Sequence, residues 1–168
     1  RPRHLQEFLP PIAAFVERDL KAAKVELTLD IEEELAAALI APDQMRQAIL
    51  NLNRNAKEAM PTGGLMTLGA RTDGDRVEVW VEDEGSGIEA EDLSRIFDPF
   101  YSTKQTGTGL GLALCQQIVA EHGGELSARS EPGQGTRVSL KLLQAPAEAA
   151  NDNASKIDSD NHALENAH

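Results

Sequence analysis

Residues 98–115 read DPFYSTKQTGTGLGLALC, and the meaning of their glycines decides the fold. Gly107, Gly109 and Gly111 run directly into an apolar segment with helical spacing. A glycine-rich turn that opens a helix offers unpaired backbone N–H groups and the positive end of the helix dipole, which together bind phosphate. Two common phosphate-binding folds use such a turn, and neither fits. No strand leads into this segment, and its spacing is G-x-G-x-G rather than the G-x-G-x-x-G of a dinucleotide-binding βαβ unit. No Gly-Lys-Ser/Thr occurs anywhere in the chain, so a Walker loop is absent. The glycines therefore belong to neither motif, and the chain also lacks the regular βαβ alternation of a doubly wound fold.

The flanking segments support a mixed α/β domain. Residues 11–23 place Ile12, Phe15, Val16 and Leu20 at helical spacing, with Pro11 suited to a first turn. Val25, Leu27 and Leu29 alternate as in a half-buried strand, and a short strand is expected near Ala37–Ile40 after an acidic loop. Residues 43–60 predict the clearest helix, with Met45, Ala48, Ile49, Leu52, Ala56 and Ala59 on one stripe and Pro61, Gly63 and Gly64 to stop it. LMTLGAR and DRVEVWVED predict two strands joined by a tight hairpin turn at Asp73-Gly74. A second helix is expected over Leu110–His122, ended by Gly123-Gly124, followed by strands ELSARSE and TRVSLKLL linked through PGQG.

The 168 residues suit one domain, and from 144 onward the pattern dissolves into Ala, Asn, Asp and Ser. That acidic tail, 144–168, is expected to be disordered. A net charge of −12 argues against duplex nucleic acid or an anionic membrane as the main partner. The single Cys115 excludes an internal disulfide, and no apolar run approaches the length of a membrane span. A cytoplasmic location follows as an expectation, and the parent protein can still be membrane-anchored.

Three groups carry chemistry. Asn51 and Asn55 lie four apart in NLNRNAKEAM, so their amides share one helix face beside the apolar stripe. Carboxamide oxygens suit Mg²⁺, which keeps most of its waters and needs only one or two protein ligands plus phosphates. The same pair would also serve as ordinary surface hydrogen-bonders. In VEDEGSGI an apolar strand delivers Asp83, with Gly85 and Gly87 two and four residues later. A carboxylate there can accept from an exocyclic amine while glycines let a flat ring approach; an acidic turn is the alternative. The third group is the glycine-rich turn itself, with Lys104 just upstream.

An Asn pair, an Asp-x-Gly-x-Gly, an aromatic-Pro-aromatic segment and a Gly-x-Gly-x-Gly occur in that order. Together they resemble the N, G1, F and G2 boxes of the catalytic, ATP-binding domain of sensor histidine kinases, in the superfamily that also holds gyrase, Hsp90 and MutL ATPases. The resemblance covers about residues 11–143. It implies an α/β (α+β) sandwich, a mixed and mostly antiparallel sheet with helices on one face, of the Bergerat type. It also implies ATP and Mg²⁺ as cofactors. Residues 1–10 would end a linker from a dimerisation domain.

By this resemblance Asp83 would bind the adenine amine, with Gly85 and Gly87 allowing approach. Asn55 would be the principal Mg²⁺ ligand and Asn51 would assist. Residues from about Glu89 to Thr108 would form a mobile lid, anchored by Phe97 and Phe100 around Pro99. Gly107, Thr108, Gly109, Leu110 and Gly111 would hinge the lid and cradle phosphates. Thr136 would support the adenine pocket. Lys104 is a candidate γ-phosphate contact, as are Lys57 and, more weakly, Arg54. In the related hydrolytic ATPases a Glu stands where Asn51 does, so this site suits holding ATP rather than activating water.

The family's acceptor is a His followed by an acidic residue on a dimerisation helix, and none of His4, His122, His162 and His168 fits that pattern. His122 is better placed as a favourable charge at a helix C-terminus. The expected function is transfer of the γ-phosphate to a His on a separate dimerisation helix domain of the same parent, with a response regulator downstream. The isolated domain is expected to be monomeric. The alternatives are a protein serine kinase of the anti-sigma-factor type and a non-catalytic ATP-binding regulatory module.

Overall fold

The computed structural model describes residues 2–98 and 111–146. In chain order these form β1 (Pro2–Arg3), α1 (Leu5–Ala22), β2 (Val25–Ile31), β3 (Ala38–Leu39), α2 (Pro42–Glu58), β4 (Gly64–Asp73), β5 (Arg76–Asp83), α3 (Ala90–Leu93), α4 (Gly111–Glu121), β6 (Glu125–Glu131) and β7 (Gly135–Leu143). Five strands make one sheet in the order β2-β4-β5-β7-β6. Only β2 and β4 run parallel, joined through α2, and every other pairing in that sheet is antiparallel. This is the mixed, mostly antiparallel sheet expected from the sequence. Because strand side chains alternate between faces, Val77, Val79 and Val81 point to one side with Met66, Leu68, Leu140 and Leu142, and all are buried. The long helices α1, α2 and α4 cover that side and share its apolar cluster.

The other face carries Trp80, which lies flat on Gly69: a Cβ on that glycine would overlap the indole ring. The Arg137 and Arg71 guanidinium carbons stand 4.8 and 5.9 Å from the ring centroid, so cations rather than a helix cover it.

Several element ends differ from expectation for physical reasons. The first helix begins at Leu5, not near Pro11, and continues through Pro10 and Pro11. Leu5 and Leu9 extend the stripe of Ile12, Val16 and Leu20 and are fully buried. Burying two Leu side chains is worth about 3–6 kcal/mol, comparable to the cost of two prolines at about 3 kcal/mol each in a helix interior. Phe15 leaves the expected core stripe: it is 63% exposed, under Arg46 of α2 at 5.0 Å. The hairpin loop is Gly74-Asp75 rather than Asp73-Gly74, since Asp73 pairs with Arg76 and only Gly74 takes a positive φ, +60°. Gln144 and Ala145 belong to the folded body: Gln144 bridges Ala38, and the Ala145 N–H donates to the Ala37 carbonyl at 2.7 Å. The rest of the tail, from 147, lies outside the described residues.

Two contacts set α2 and α4 antiparallel, and this arrangement positions the site. At one end the Ala41 N–H, just ahead of α2, donates to His122 Nε2 at 2.9 Å. His122 Nε2 therefore carries no proton, and Nδ1 donates to the Ile118 carbonyl at 2.7 Å. His122 is thus a neutral tie between helices, not the helix-end charge expected from sequence. Just beyond it α4 ends in a Schellman turn: Gly123, at φ +68°, donates to Ala120, and Gly124 donates to Val119. At the other end Gly111 opens α4 beside Asn55, its pro-Cβ direction 3.8 Å from Asn55 Nδ2.

Candidate functional site

The inward phase of β5 runs Val77, Val79, Val81, Asp83, so the alternation that buries three valines also buries a carboxylate, which is 7% exposed. Asp83 Oδ1 accepts the Gly85 N–H at 2.8 Å, closing a turn through the side chain. Gly85 has no room for a side chain. A Cβ there would overlap the Ala59 carbonyl oxygen and lie 2.9 Å from Asp83 Oδ1. That close approach ties the turn after β5 to the C-terminal end of α2. Gly87, at φ +74°, makes a similar approach to the backbone of Glu131.

Strand register places Thr136 directly opposite Asp83 and on the same face. Thr136 is 8% exposed, and its hydroxyl meets Ser130 Oγ at 2.8 Å. Ser130 also donates to the Gly135 carbonyl at 2.9 Å and accepts the Ile88 N–H at 2.7 Å. Its single proton goes to Gly135, so Thr136 is the donor between the two hydroxyls and keeps its own lone pairs. Ser130 thus joins β6, β7 and the segment after Gly87. Sequence reading missed it, although a signal existed: Leu126 and Ala128 share its inward phase on β6, so Ser130 is a polar break in an apolar face.

On α2, Asn55 is half-buried and Asn51 is 6% exposed. Asn51 Oδ1 accepts a hydrogen bond from Arg54 Nη2 at 2.6 Å. Behind Asn51 stands Cys115 of α4, whose thiol donates to the Ala48 carbonyl at 3.3 Å. Burial pushes this thiol up to about 12, with Asn51 and the charge of Arg54 pulling the other way. Lys57 is not brought to the site. Its ammonium pairs with Asp19 of α1 at 2.7 Å, because two residues along a helix turn it well away from Asn55.

A groove of ≈ 840 Å³ runs between α2 and α4, lined by Asn51, Arg54, Gly111 and Phe97 among others. Of the stretch read as a lid, residues 89–98 include α3 and the buried Ile96, with Phe97 half-buried. Phe100, Lys104, Gly107, Thr108, Gly109 and Leu110 lie outside the described residues. The fold thus gathers Asp83, Gly85, Gly87 and Thr136 at one end of the sheet, and Asn51, Asn55 and Gly111 beside it.

Residues 40–146 match the family described as histidine kinase-, DNA gyrase B-, and HSP90-like ATPase. The chain belongs to this family. It is 41% identical over 150 residues to the sensor histidine kinase ZraS of Klebsiella oxytoca, a match covering 84% of this chain and 32% of that protein. The chain therefore spans about a third of that relative's length. Among solved structures it resembles the nucleotide-free catalytic domain of histidine kinase ThkA, at TM-score 0.78 and 26% identity, over 86% of this chain and 95% of that one. It also resembles full-length ShkA in complex with AMPPNP, at TM-score 0.78 and 28% identity, over 88% of this chain and 32% of that one. The architecture is that of a histidine kinase catalytic domain.

The residues present fit an adenine nucleotide. A buried carboxylate is an acceptor suited to an amine, and Gly85 and Gly87 keep the adjacent backbone bare. A carboxamide oxygen such as that of Asn55 is a suitable partial ligand for a hard cation that shares phosphate oxygens. No helix among the described residues is long and apolar enough to cross a membrane.

Proposed function

We propose that this chain binds Mg-ATP at the Asp83–Asn55 site and passes the γ-phosphate to a histidine on a separate helical dimerisation domain of its parent. The observation that carries the reading is the contact of Gly85 with the end of α2, which joins the carboxylate suited to adenine to the helix that bears the two asparagines. Asp83 would accept the adenine N6 amine, and this discriminates against guanine, which offers a carbonyl there. Thr136 would supply lone pairs on the same face. Asn55 would hold Mg²⁺, whose role when bound is to neutralise phosphate charge. Asn51 cannot take a proton from water, so the chain would hold ATP for a protein nucleophile rather than hydrolyse it. Lys104 and the glycines 107–111 would complete the phosphate side.

As part of the same proposal, residues 11–143, together with the start of α1 from Leu5 and with Gln144–Ala145 that pack into the same fold, are the catalytic body. The parent acts in the cytoplasm, with or without a membrane anchor, and serves a response regulator. The sensor kinase names of the relatives support these partners. The test is incubation with γ-labelled ATP and the parent's dimerisation domain supplied in trans. Acid-labile, base-stable label on the helical domain is expected. Acid-stable label on serine would instead indicate the anti-sigma type of kinase. ATP binding without any transfer would leave a regulatory module.

A further inference from the structure

The second helix carries three cations, and two of them are committed to the first helix. Arg46 stands over the Phe15 ring, and Lys57 pairs with Asp19. Arg54, on the neighbouring face one turn before Lys57, is exposed and lines the groove with Asn51 and Gly111. One of its nitrogens is held at 2.6 Å by Asn51 Oδ1. That anchor is itself immobile: Asn51 is 6% exposed and backed by the fully buried Cys115. A guanidinium has five N–H donors in a planar fork, so the bond to Asn51 orients the group and leaves its remaining donors for an anion. The formal charge of the chain is −12, and an anion entering this groove needs a local cation.

From this geometry we infer that Arg54, oriented by Asn51, is the residue of the second helix that receives the terminal phosphate of the bound nucleotide. The inference rests on the reading that the site binds ATP. It changes two roles expected from sequence. Asn51 positions Arg54 through its carboxamide oxygen rather than ligating the metal, which leaves Asn55 as the helix's metal ligand. Lys57, the other candidate of this helix, has no part in it.

A group that meets only the terminal phosphate affects ATP and not ADP, and that difference is the readout. Calorimetric titration of ATP and ADP, each with and without Mg²⁺, into wild type, Arg54→Ala, Arg54→Lys and Asn51→Ala separates the possibilities. The expected result is an ATP affinity about tenfold weaker in Arg54→Ala, with ADP affinity within about twofold, which also shows that the variant is folded. Arg54→Lys should recover part of the ATP preference, since it keeps charge without the fork. Asn51→Ala should lose part of it although it removes no charge. Equal loss of ATP and ADP in Arg54→Ala would overturn the inference, and so would no loss of either. A Mg²⁺-dependent loss of both nucleotides in Asn51→Ala would return Asn51 to the metal. If wild type bound neither nucleotide, the ATP reading itself would fall, which is a different result from any of these.

Discussion

Replacing Ser130 by Ala removes one oxygen atom that serves three groups in two other segments. The Ile88 N–H at 2.7 Å loses its acceptor, the Gly135 carbonyl at 2.9 Å loses a donor, and the Thr136 hydroxyl at 2.8 Å loses its partner. A typical hydrogen bond contributes about 1 kcal/mol net, and a buried group left unpaired costs about 1–3 kcal/mol. Gly135 and Thr136 are buried, but Ser130 and Ile88 are half-buried, so water can replace part of what is lost, and the expected destabilisation is about 2 kcal/mol. With a urea slope near 2 kcal/mol/M this lowers the unfolding midpoint by about 1 M. Arg129→Ala, at the exposed neighbouring position, is the control and should change stability by less than about 0.5 kcal/mol. Gly135 and Thr136 lie against Asp83, and a Cβ on Gly135 would overlap the Asp83 carbonyl oxygen. Loosening them should therefore weaken adenine nucleotide binding severalfold as well. A Ser130→Ala variant with an unchanged urea midpoint and unchanged nucleotide affinity would refute the reasoning.

Three further outcomes follow from the packing. Asn53 is 2% exposed, and its Nδ2 donates to the Ile49 carbonyl, while its Oδ1 has no partner among the described residues, so Asn53→Leu should stabilise the fold by about 1 kcal/mol in urea unfolding. Gly123→Ala should destabilise by about 1 kcal/mol or more, because an L-residue pays for φ +68° and its Cβ would press on Leu143 at 3.1 Å; a calorimetric melt measures this. The Cys115 thiol has an ordinary value of 9.0 when unfolded and about 12 when folded, so the folded state holds the proton across that window. Its contribution is complete below about pH 9 and is lost as pH rises toward 12, so Cys115→Ala should flatten that part of the alkaline stability profile.

The parts of this molecule legible from sequence are those set by local periodicity. The four-residue spacing of Asn51 and Asn55 and the alternation that leads Val77, Val79 and Val81 to Asp83 each fix a face without knowledge of the rest of the chain. Gly123-Gly124 marked the end of α4 for the same reason. What stayed hidden depends on tertiary partners. Pro10-Pro11 masked the true start of α1, because only burial of Leu5 and Leu9 shows why a helix continues through them. Lys57 reads as a phosphate candidate until α1 is seen to pack beside it and Asp19 to take its ammonium. Phe15 kept the helical spacing of a core residue yet lies at the edge of the stripe, where α2 offers it a guanidinium instead of a methyl group. His122 reads as a helix-end charge until the Ala41 N–H, 81 residues away in sequence, is seen to donate to it.

The most direct test of the central claim is the affinity for ATP with Mg²⁺, measured by calorimetry on the wild-type chain and on Asp83→Asn. Asn keeps the size of the side chain but places an amide donor where a carboxylate oxygen would accept the adenine amine. The account predicts measurable binding by the wild type and an affinity at least about tenfold weaker in the variant, equivalent to about 1.4 kcal/mol. Equal binding by the two chains, or none by the wild type, would contradict it.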